Sequence, residues 1–397
     1  MQVRDEVTNG AVPHSMELSQ LTSHIRTLIT LEETEAPVVS CYLPWAVGRY
    51  GSQPQRFDRR VRAICKVLGH QRELFEEGFT KVQQYLATEV RPETRGVATF
   101  ARAGRRPFFL GLQFQVSLPD RLSVSLTPDI YHLVELKDTY HRYVVLISTE
   151  VSARILEVNL GAITREVWTE RPELRERVGR EWAHEHYQNH RRNRGERFLN
   201  EKLAVLQKLL GAGGHSHLIL AGSSPMTARI RNCLPKELQA KLIDVVPAPE
   251  SAQVADVVAA TLSSFIDREQ RESLGAVAEL ASAVRRGGLA AAGTAETLEA
   301  LRRGQADVLV MAKAYEPGPA WGCGQCGWAD AVSSAPERCP DCDATDLQPT
   351  NLKEVMVRLA AQQSMEVELV QHSDVLMDLG GVGCLLRYAT PEQPQSD

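Results

Sequence analysis

Two cysteine pairs, Cys323-Gly-Gln-Cys326 and Cys339-Pro-Asp-Cys342, are separated by twelve residues and determine how the last part of the chain is built. A gap of two residues lets both thiolates of one turn face the same ion, and two such pairs complete a closed tetrahedron around zinc. A redox pair or unrelated cysteines would be the alternative, but two pairs of identical spacing favour a metal. We therefore predict one structural zinc ion in a ribbon at 320–346, held by Cys323, Cys326, Cys339 and Cys342.

The 397-residue chain has the composition of an ordinary globular protein, with 43% hydrophobic and 24% charged residues. No apolar run approaches the roughly 20 residues that span a bilayer. The first 15 residues have no apolar core, so we expect no signal peptide. Eight cysteines in a chain without an expected signal peptide indicate a reducing compartment. The expected location is the cytoplasm.

Hydrophobic periodicity and breaks in composition predict a multidomain α/β protein. Three domains are expected at 17–137, 138–251 and 252–389. Polar segments without a periodic apolar pattern, 1–16 and 390–397, are expected to be flexible tails. The net charge is −5, so any contact with nucleic acid must come from local basic patches.

The three domains have different predicted elements. The N-terminal α/β domain has a strand at 38–43 and a long charged helix at 56–86. The middle domain reads as three strands, a helix, a strand and a helix, and leucines recur every three or four residues in the first of these helices. The C-terminal domain begins with helices at 252–265 and 269–286 and continues as an α/β/α sandwich that contains the inserted zinc ribbon.

A strongly basic segment precedes the long helix of the middle domain. Residues 171–197 contain eight arginines, five glutamates and three histidines, and we expect Gly195 to break the helix where the arginines are densest. Planar guanidinium groups bind phosphate through two hydrogen bonds and stack on bases. A solvated helix face with internal ion pairs is the alternative. We predict RNA contacts from His190, Arg191, Arg192, Asn193, Arg194 and Arg197.

Three motifs of the C-terminal domain follow one another in a characteristic order. They are Gly293-Thr-Ala-Glu-Thr-Leu-Glu-Ala-Leu301, Gly304-Gln-Ala-Asp-Val-Leu-Val310 and Leu379-Gly-Gly-Val-Gly-Cys-Leu-Leu-Arg-Tyr388, with the zinc ribbon before the last. In this the chain resembles the archaeal and eukaryotic peptide-chain release factors and Pelota. The middle domain is similar too, in its strands and in Arg197-Phe198. The resemblance implies that this domain is ribonuclease-H-like. The N-terminal domain resembles the family loosely, through Val38-Val-Ser-Cys-Tyr-Leu-Pro44.

Two departures from the release factors bear on function. Those proteins carry Gly-Gly-Gln where this sequence has His190-Arg-Arg-Asn-Arg-Gly-Glu196, and the Asn-Ile-Lys-Ser motif of stop-codon reading is absent after Leu43. The chain is thus more similar to Pelota and to bacterial hibernation factors of the Balon type. That resemblance implies a monomer without catalytic residues that occupies the A site of idle 70S ribosomes. It would contact the decoding and peptidyl-transferase centres, with elongation factor Tu or another translational GTPase as a partner.

Two other functions stay open at this point. The protein could be a ribosome rescue factor or a peptidyl-tRNA hydrolase, in which case Gln188, His190 and Glu196 are the catalytic candidates. It could also be a stress-related RNA-binding protein that never enters the ribosome. A stop-codon release factor is not expected, because the motif that positions the hydrolytic water is missing.

Overall fold

The computed structural model describes residues 16–45, 54–149, 152–170, 184–211, 217–249 and 251–388. Apart from Met16, the tails predicted at 1–16 and 390–397 lie outside these ranges. The chain packs into two compact units, one made of 140–268 with the first 18 residues and one made of 19–139 with 269–397. The division into three domains stays a prediction. Every helix in the described ranges is too short or too polar to cross a membrane.

Helices and strands are both present throughout the described chain. The α-helices are α1 (Leu18–Ile29), α2 (Pro54–Val67), α3 (Arg72–Thr88), α4 (Tyr131–Thr139), α5 (His184–Gly211), α6 (Ser224–Cys233), α7 (Lys236–Lys241), α8 (Val254–Arg285), α9 (Thr294–Arg302), α10 (Leu352–Gln362) and α11 (Asp374–Asp378). The strands are β1 (Val38–Pro44), β2 (Gly96–Arg102), β3 (Phe108–Phe114), β4 (Arg121–Ser125), β5 (Tyr143–Ser148), β6 (Ser152–Asn159), β7 (Ala162–Glu170), β8 (His217–Gly222), β9 (Leu242–Pro247), β10 (Ala290–Ala292), β11 (Ala306–Ala312), β12 (Trp321–Cys323), β13 (Ala329–Asp330), β14 (Leu347–Pro349), β15 (Glu366–Val370) and β16 (Val382–Leu386). The predicted α/β class is confirmed.

The unit formed by 140–268 contains one five-stranded sheet in the order β7-β6-β5-β8-β9. The first three strands are antiparallel neighbours, whereas β5, β8 and β9 run parallel. Leu203 and Leu206 of α5 belong to the core on one face of the sheet, and Phe265 belongs to the core on the other. The order β5, β6, β7, α5, β8 and α6 agrees with the predicted three strands, helix, strand and helix, whereas the fifth strand, β9, was not predicted.

The other unit contains an antiparallel sheet built from the N-terminal part of the chain, in the order β3-β2-β1-β4. Phe75, Phe79 and Val82 of α3 pack against it. The prediction of a single helix over 56–86 was wrong, because a short 3-10 turn, Gly69–Gln71, separates α2 from α3. Gly69 has a φ of +50°, a left-handed conformation that glycine adopts without steric cost and that ends a helix.

The same unit contains a second sheet, from the C-terminal part of the chain, in the order β10-β16-β11-β15. Strands β11 and β15 are parallel, and the other pairs are antiparallel. The two helices predicted at 252–265 and 269–286 are one continuous helix, α8. The intervening residues, Ile266-Asp-Arg268, include neither glycine nor proline, so no residue interrupts the ladder of hydrogen bonds.

Helix α4 is held at both ends by polar contacts with the C-terminal part of the same unit. At the start of α4, backbone N–H groups donate hydrogen bonds to Glu354 of α10. Near its end, Asp138 accepts one from the N–H of Leu369 at 3.0 Å. Between them, Glu135 lies 3.0 Å from the Nζ of Lys313. Helix α4 is therefore fixed to the C-terminal part of this unit by specific polar contacts.

Candidate metal centre and nucleic-acid interface

The ribbon that carries the four cysteines is a three-stranded sheet in the order β13-β12-β14. Its central strand, β12, is antiparallel to both neighbours and ends at Cys323. Trp328 is buried together with Cys323 and Cys339, and Trp321 and Leu347 pack around them. This small apolar cluster fixes the positions of the turns that present the sulfur atoms.

The first cysteine pair lies in a tight turn that closes on itself. The N–H of Gly327 donates to the carbonyl of Cys323 at 3.1 Å, and the N–H of Cys323 donates to the carbonyl of Trp328 at 2.7 Å. Gly327 has a φ of +75°, so the residue after the second cysteine reverses the chain in the left-handed region that favours glycine. The side chains of Cys323 and Cys326 are left on the inside of this turn.

The second pair repeats the same pattern. The N–H of Asp343 donates to the carbonyl of Cys339 at 2.9 Å, and the N–H of Cys339 donates to the carbonyl of Ala344 at 2.8 Å. Asp343 has a φ of +60°, and aspartate is one of the few residues other than glycine that tolerate this conformation. Equal spacing in the sequence therefore produces two equivalent turns that face each other.

The four sulfur atoms converge on one point. The Sγ atoms of Cys323 and Cys342 are 3.6 Å apart, those of Cys326 and Cys339 are 3.5 Å apart, and all four lie within 4.8 Å of one another. With metal–sulfur bonds of about 2.3 Å, an ideal tetrahedron places its sulfurs about 3.8 Å apart. The four predicted ligands are thus brought together at distances that fit one metal ion.

The thiols of this cluster differ in acidity. The backbone N–H of Cys326 stabilises the thiolate of Cys323 and lowers the pKa of Cys323 to about 7, against the effect of burial. The pKa of Cys342 is raised to about 12, because burial and the neighbouring thiols outweigh the N–H of Ala344. Four thiolates in contact repel one another, so all four ionise together only around a bound cation.

The basic segment enters α5, which begins at His184 and runs to Gly211 without a break. The prediction that Gly195 ends a helix was wrong. Glycine costs only about 1 kcal/mol relative to alanine inside a helix, and the arginine and glutamate beside it are good helix formers.

The structure describes the side chains of only some of the residues that are predicted to contact RNA. The side chains of 184–195 lie outside its description, and so do residues 171–183. The RNA contacts of His190, Arg191, Arg192, Asn193 and Arg194 therefore stay predictions, as do roles for Gln188 and His190 in the enzyme alternative. Glu196 and Arg197 are both exposed to solvent, so Arg197 is accessible to a partner.

Sequence reasoning missed a buried lysine on the same helix. Lys202 is only 2% exposed, and its Nζ donates to the Oγ of Ser148 at 2.7 Å and to the carbonyl of Thr149 at 3.3 Å. The same Nζ lies 4.1 Å from the centre of the Phe198 ring. Its position directly before Leu203, on the leucine-rich face of α5, was the available signal. Lys202 fixes this helix to the carboxyl end of β5.

Residues 128–265, about a third of the chain, match the family model described as "Bacterial archaeo-eukaryotic release factor family 10". This segment is similar to bacterial members of the archaeo-eukaryotic release-factor family. The matched segment includes the whole five-stranded sheet and α5. No curated protein matches the sequence.

Several solved archaeal structures are similar over nearly the whole chain. A model of ribosome-bound archaeal Pelota and ABCE1 is 14% identical, with 95% of this chain and 96% of that chain covered and a TM-score of 0.42. Archaeoglobus fulgidus Pelota is 13% identical, with 94% and 93% covered and a TM-score of 0.37. The archaeal termination factor aRF1 is 15% identical, with 94% and 99% covered and a TM-score of 0.25.

Proposed function

We propose that the protein is a hibernation factor that occupies the A site of vacant or stalled 70S ribosomes and releases no peptide. One observation carries the proposal. The match to the bacterial release-factor family spans the place of the Gly-Gly-Gln motif, and the sequence there is His190-Arg-Arg-Asn-Arg-Gly-Glu196. The family supports an association with translation, and the substitution of the motif supports a role other than hydrolysis.

The backbone of α5 gives a physical reason to expect no hydrolysis. Peptide release requires donors aimed at the reacting carbonyl and its attacking water, with small side chains that leave room for both. Residues 190–196 lie in the interior of α5. In the interior of an α-helix each backbone N–H donates a hydrogen bond to the carbonyl four residues earlier, so it is not available to a reacting carbonyl or a water. Three arginines also occupy the segment where the release factors carry glycines.

The proposal assigns a partner to each part of the chain. The N-terminal sheet would lie at the decoding centre, and the first half of α5 would reach ribosomal RNA at the peptidyl-transferase centre. The metal-bearing part would face the GTPase centre, where elongation factor Tu or another translational GTPase would join it. The ion held by the four cysteines would be structural zinc, because a closed set of four thiolates leaves no position for a catalytic water.

Sedimentation with ribosomes tests the proposal. Wild-type protein is expected to pellet with vacant 70S ribosomes and to be displaced by an excess of A-site tRNA. Ribosomes that carry only P-site tRNA are the matched control and should bind the protein as well as vacant ones do. A protein that stays in the supernatant at low salt, or that ignores A-site tRNA, would exclude A-site hibernation and leave an RNA-binding role away from the ribosome.

A further inference from the structure

The four cysteines of the ribbon differ in how accessible they are to solvent. Cys326 and Cys342, the second member of each pair, are exposed, whereas Cys323 and Cys339 are buried. The first members are buried because both belong to the apolar cluster of Trp328. A small oxidant in the solvent therefore meets one sulfur of each turn first.

Each exposed sulfur has a buried sulfur of the other turn beside it. The Sγ of Cys342 lies 3.6 Å from that of Cys323, and the Sγ of Cys326 lies 3.5 Å from that of Cys339. Both contacts cross from one turn to the other. Each pair has to close by only about 1.5 Å to form a disulfide bond, whose sulfur–sulfur length is about 2.0 Å.

The ribbon also meets the chemical requirement for oxidation. The thiolate is the form of cysteine that reacts with peroxide, and a thiol that coordinates zinc is held in this form. Cys41 and Cys384, by contrast, are buried, and burial raises the pKa of their thiols to about 12 and about 11. Because these two thiols stay protonated at neutral pH, peroxide is expected to react at the ribbon before it reacts with them.

We propose that the metal centre is a reversible oxidation site for hydrogen peroxide, which converts the four cysteines into two disulfides, Cys323–Cys342 and Cys326–Cys339. The inference goes beyond the proposed function, because it assigns a modification site to the ribbon and involves no ribosome. Once the four thiolates are consumed, the ribbon no longer binds zinc, whereas the two disulfides keep its turns joined.

The reaction balances with peroxide as the co-reactant. The sulfur of Cys326 attacks one peroxide oxygen, the O–O bond breaks, and a sulfenic acid and a hydroxide are formed. The sulfur of Cys339 then attacks the sulfenic sulfur, the S–O bond breaks, and a second hydroxide leaves. The two thiolates lose two electrons, which reduce one peroxide to two hydroxides, and two protons from the solvent convert these into water. Cys342 and Cys323 react in the same way with a second peroxide, and the zinc ion is released without a change in its charge.

Zinc release and disulfide mapping on the zinc-loaded wild-type protein test the inference. Hydrogen peroxide should release one zinc ion per chain, measured with a chromogenic chelator, while four thiols and two peroxide molecules are consumed. Trypsin cuts after Arg338, which lies between the two cysteine pairs. The proposed disulfides should therefore link the tryptic peptides 314–338 and 339–353, and fragmentation of the linked peptides in a mass spectrometer assigns the pairing. Dithiothreitol with added zinc should separate the peptides and restore the metal.

Two controls and three adverse outcomes make the test decisive. Chelator without peroxide should leave the zinc bound, and Cys233→Ser, which changes an exposed cysteine outside the ribbon, should leave peroxide-driven release unchanged. Zinc that stays bound at a peroxide concentration that oxidises Cys233 would overturn the inference. Release that leaves the two tryptic peptides separate, or that joins them by another pairing, would do the same. A wild-type chain that binds no zinc overturns the inference together with the metal centre. These measurements involve no ribosome, so the inference and the proposed function fail independently.

Discussion

The side-chain carboxyl group of Glu354 accepts a hydrogen bond of 2.8 Å from the backbone N–H of Ile130, which lies 224 residues earlier in the chain. The other oxygen of Glu354 accepts a hydrogen bond of 2.9 Å from the backbone N–H of Tyr131. Only 12% of the Glu354 side chain is exposed, and Arg358 lies 3.6 Å away. The first turn of α4 is thus capped by α10 instead of by a residue beside it in the sequence.

The acidity of this contact predicts a pH dependence of stability. Burial raises the pKa of Glu354 well above its usual range and the Asp129 carboxylate raises it further, whereas Arg358 lowers it. The folded protein therefore keeps a proton that the unfolded chain loses at about pH 4.3. The stabilisation is complete below that pH and is lost as pH rises through the folded pKa.

We expect Glu354→Gln to flatten the fall in stability above about pH 4.3, by up to about 1.4 kcal/mol per pH unit. The amide resembles the protonated carboxyl and still accepts one N–H. Glu354→Ala leaves two buried N–H groups without a partner and should cost about 1 to 3 kcal/mol at any pH. Urea unfolding from pH 5 to 8 measures both variants, with the exposed Glu73→Gln as control. A slope unchanged by Glu354→Gln would show that Glu354 is ionised in the folded protein.

The metal centre gives a second prediction. Purified wild-type protein should contain one zinc ion per chain, and Cys323→Ser with Cys326→Ser should lose it. A structural zinc site supplies about 10 kcal/mol or more of folding free energy in small ribbons, so protease should cut the variant within the ribbon. The α/β sheets have their own cores and should stay folded. Cys233→Ser changes an exposed cysteine outside the ribbon and should keep the zinc. Elemental analysis that finds no zinc after metal-replete expression would exclude the site.

These two contacts show which features a sequence reveals. The cysteine pairs were predictable because a two-residue gap fixes a local turn, and the distances between the sulfurs agree with it. The cap that Glu354 provides could not be predicted from the sequence, because it joins residues 224 positions apart and leaves no periodic pattern. Whether a glycine ends a helix could not be predicted from the sequence for a similar reason. Gly69 ends a helix and Gly195 does not, and the choice depends on the surrounding structure more than on the residue itself.

Peptide release is the third test, and it separates the proposed function from the hydrolase alternative. The assay uses ribosomes that carry labelled peptidyl-tRNA and whose A site either holds a stop codon or is empty. On these ribosomes the protein should release peptide no faster than buffer does. A release factor that carries Gly-Gly-Gln is the positive control. Release well above the buffer rate that is lost in Gln188→Ala or Glu196→Ala would instead establish a peptidyl-tRNA hydrolase or rescue factor.

The last prediction concerns the arginines of the first half of α5. Replacing Arg191, Arg192 and Arg194 by alanine should lower the slope of log affinity against log salt for vacant ribosomes by about two, if most of the three contact phosphate. A solvated helix face predicts almost no change, since exposed ion pairs contribute little. A control variant, Arg229→Gln/Arg231→Gln/Lys236→Gln, removes three exposed cations outside α5 and should retain the wild-type slope.

Contacts made by other parts of the chain complicate this measurement. They could hold the protein on the ribosome strongly enough for the affinity of the alanine variant to stay unchanged. Chemical footprinting resolves that case, because loss of the arginines should still expose nucleotides at the peptidyl-transferase centre while protection at the decoding centre remains. An unchanged footprint at both centres, together with an unchanged salt slope, would show that these arginines do not contact ribosomal RNA.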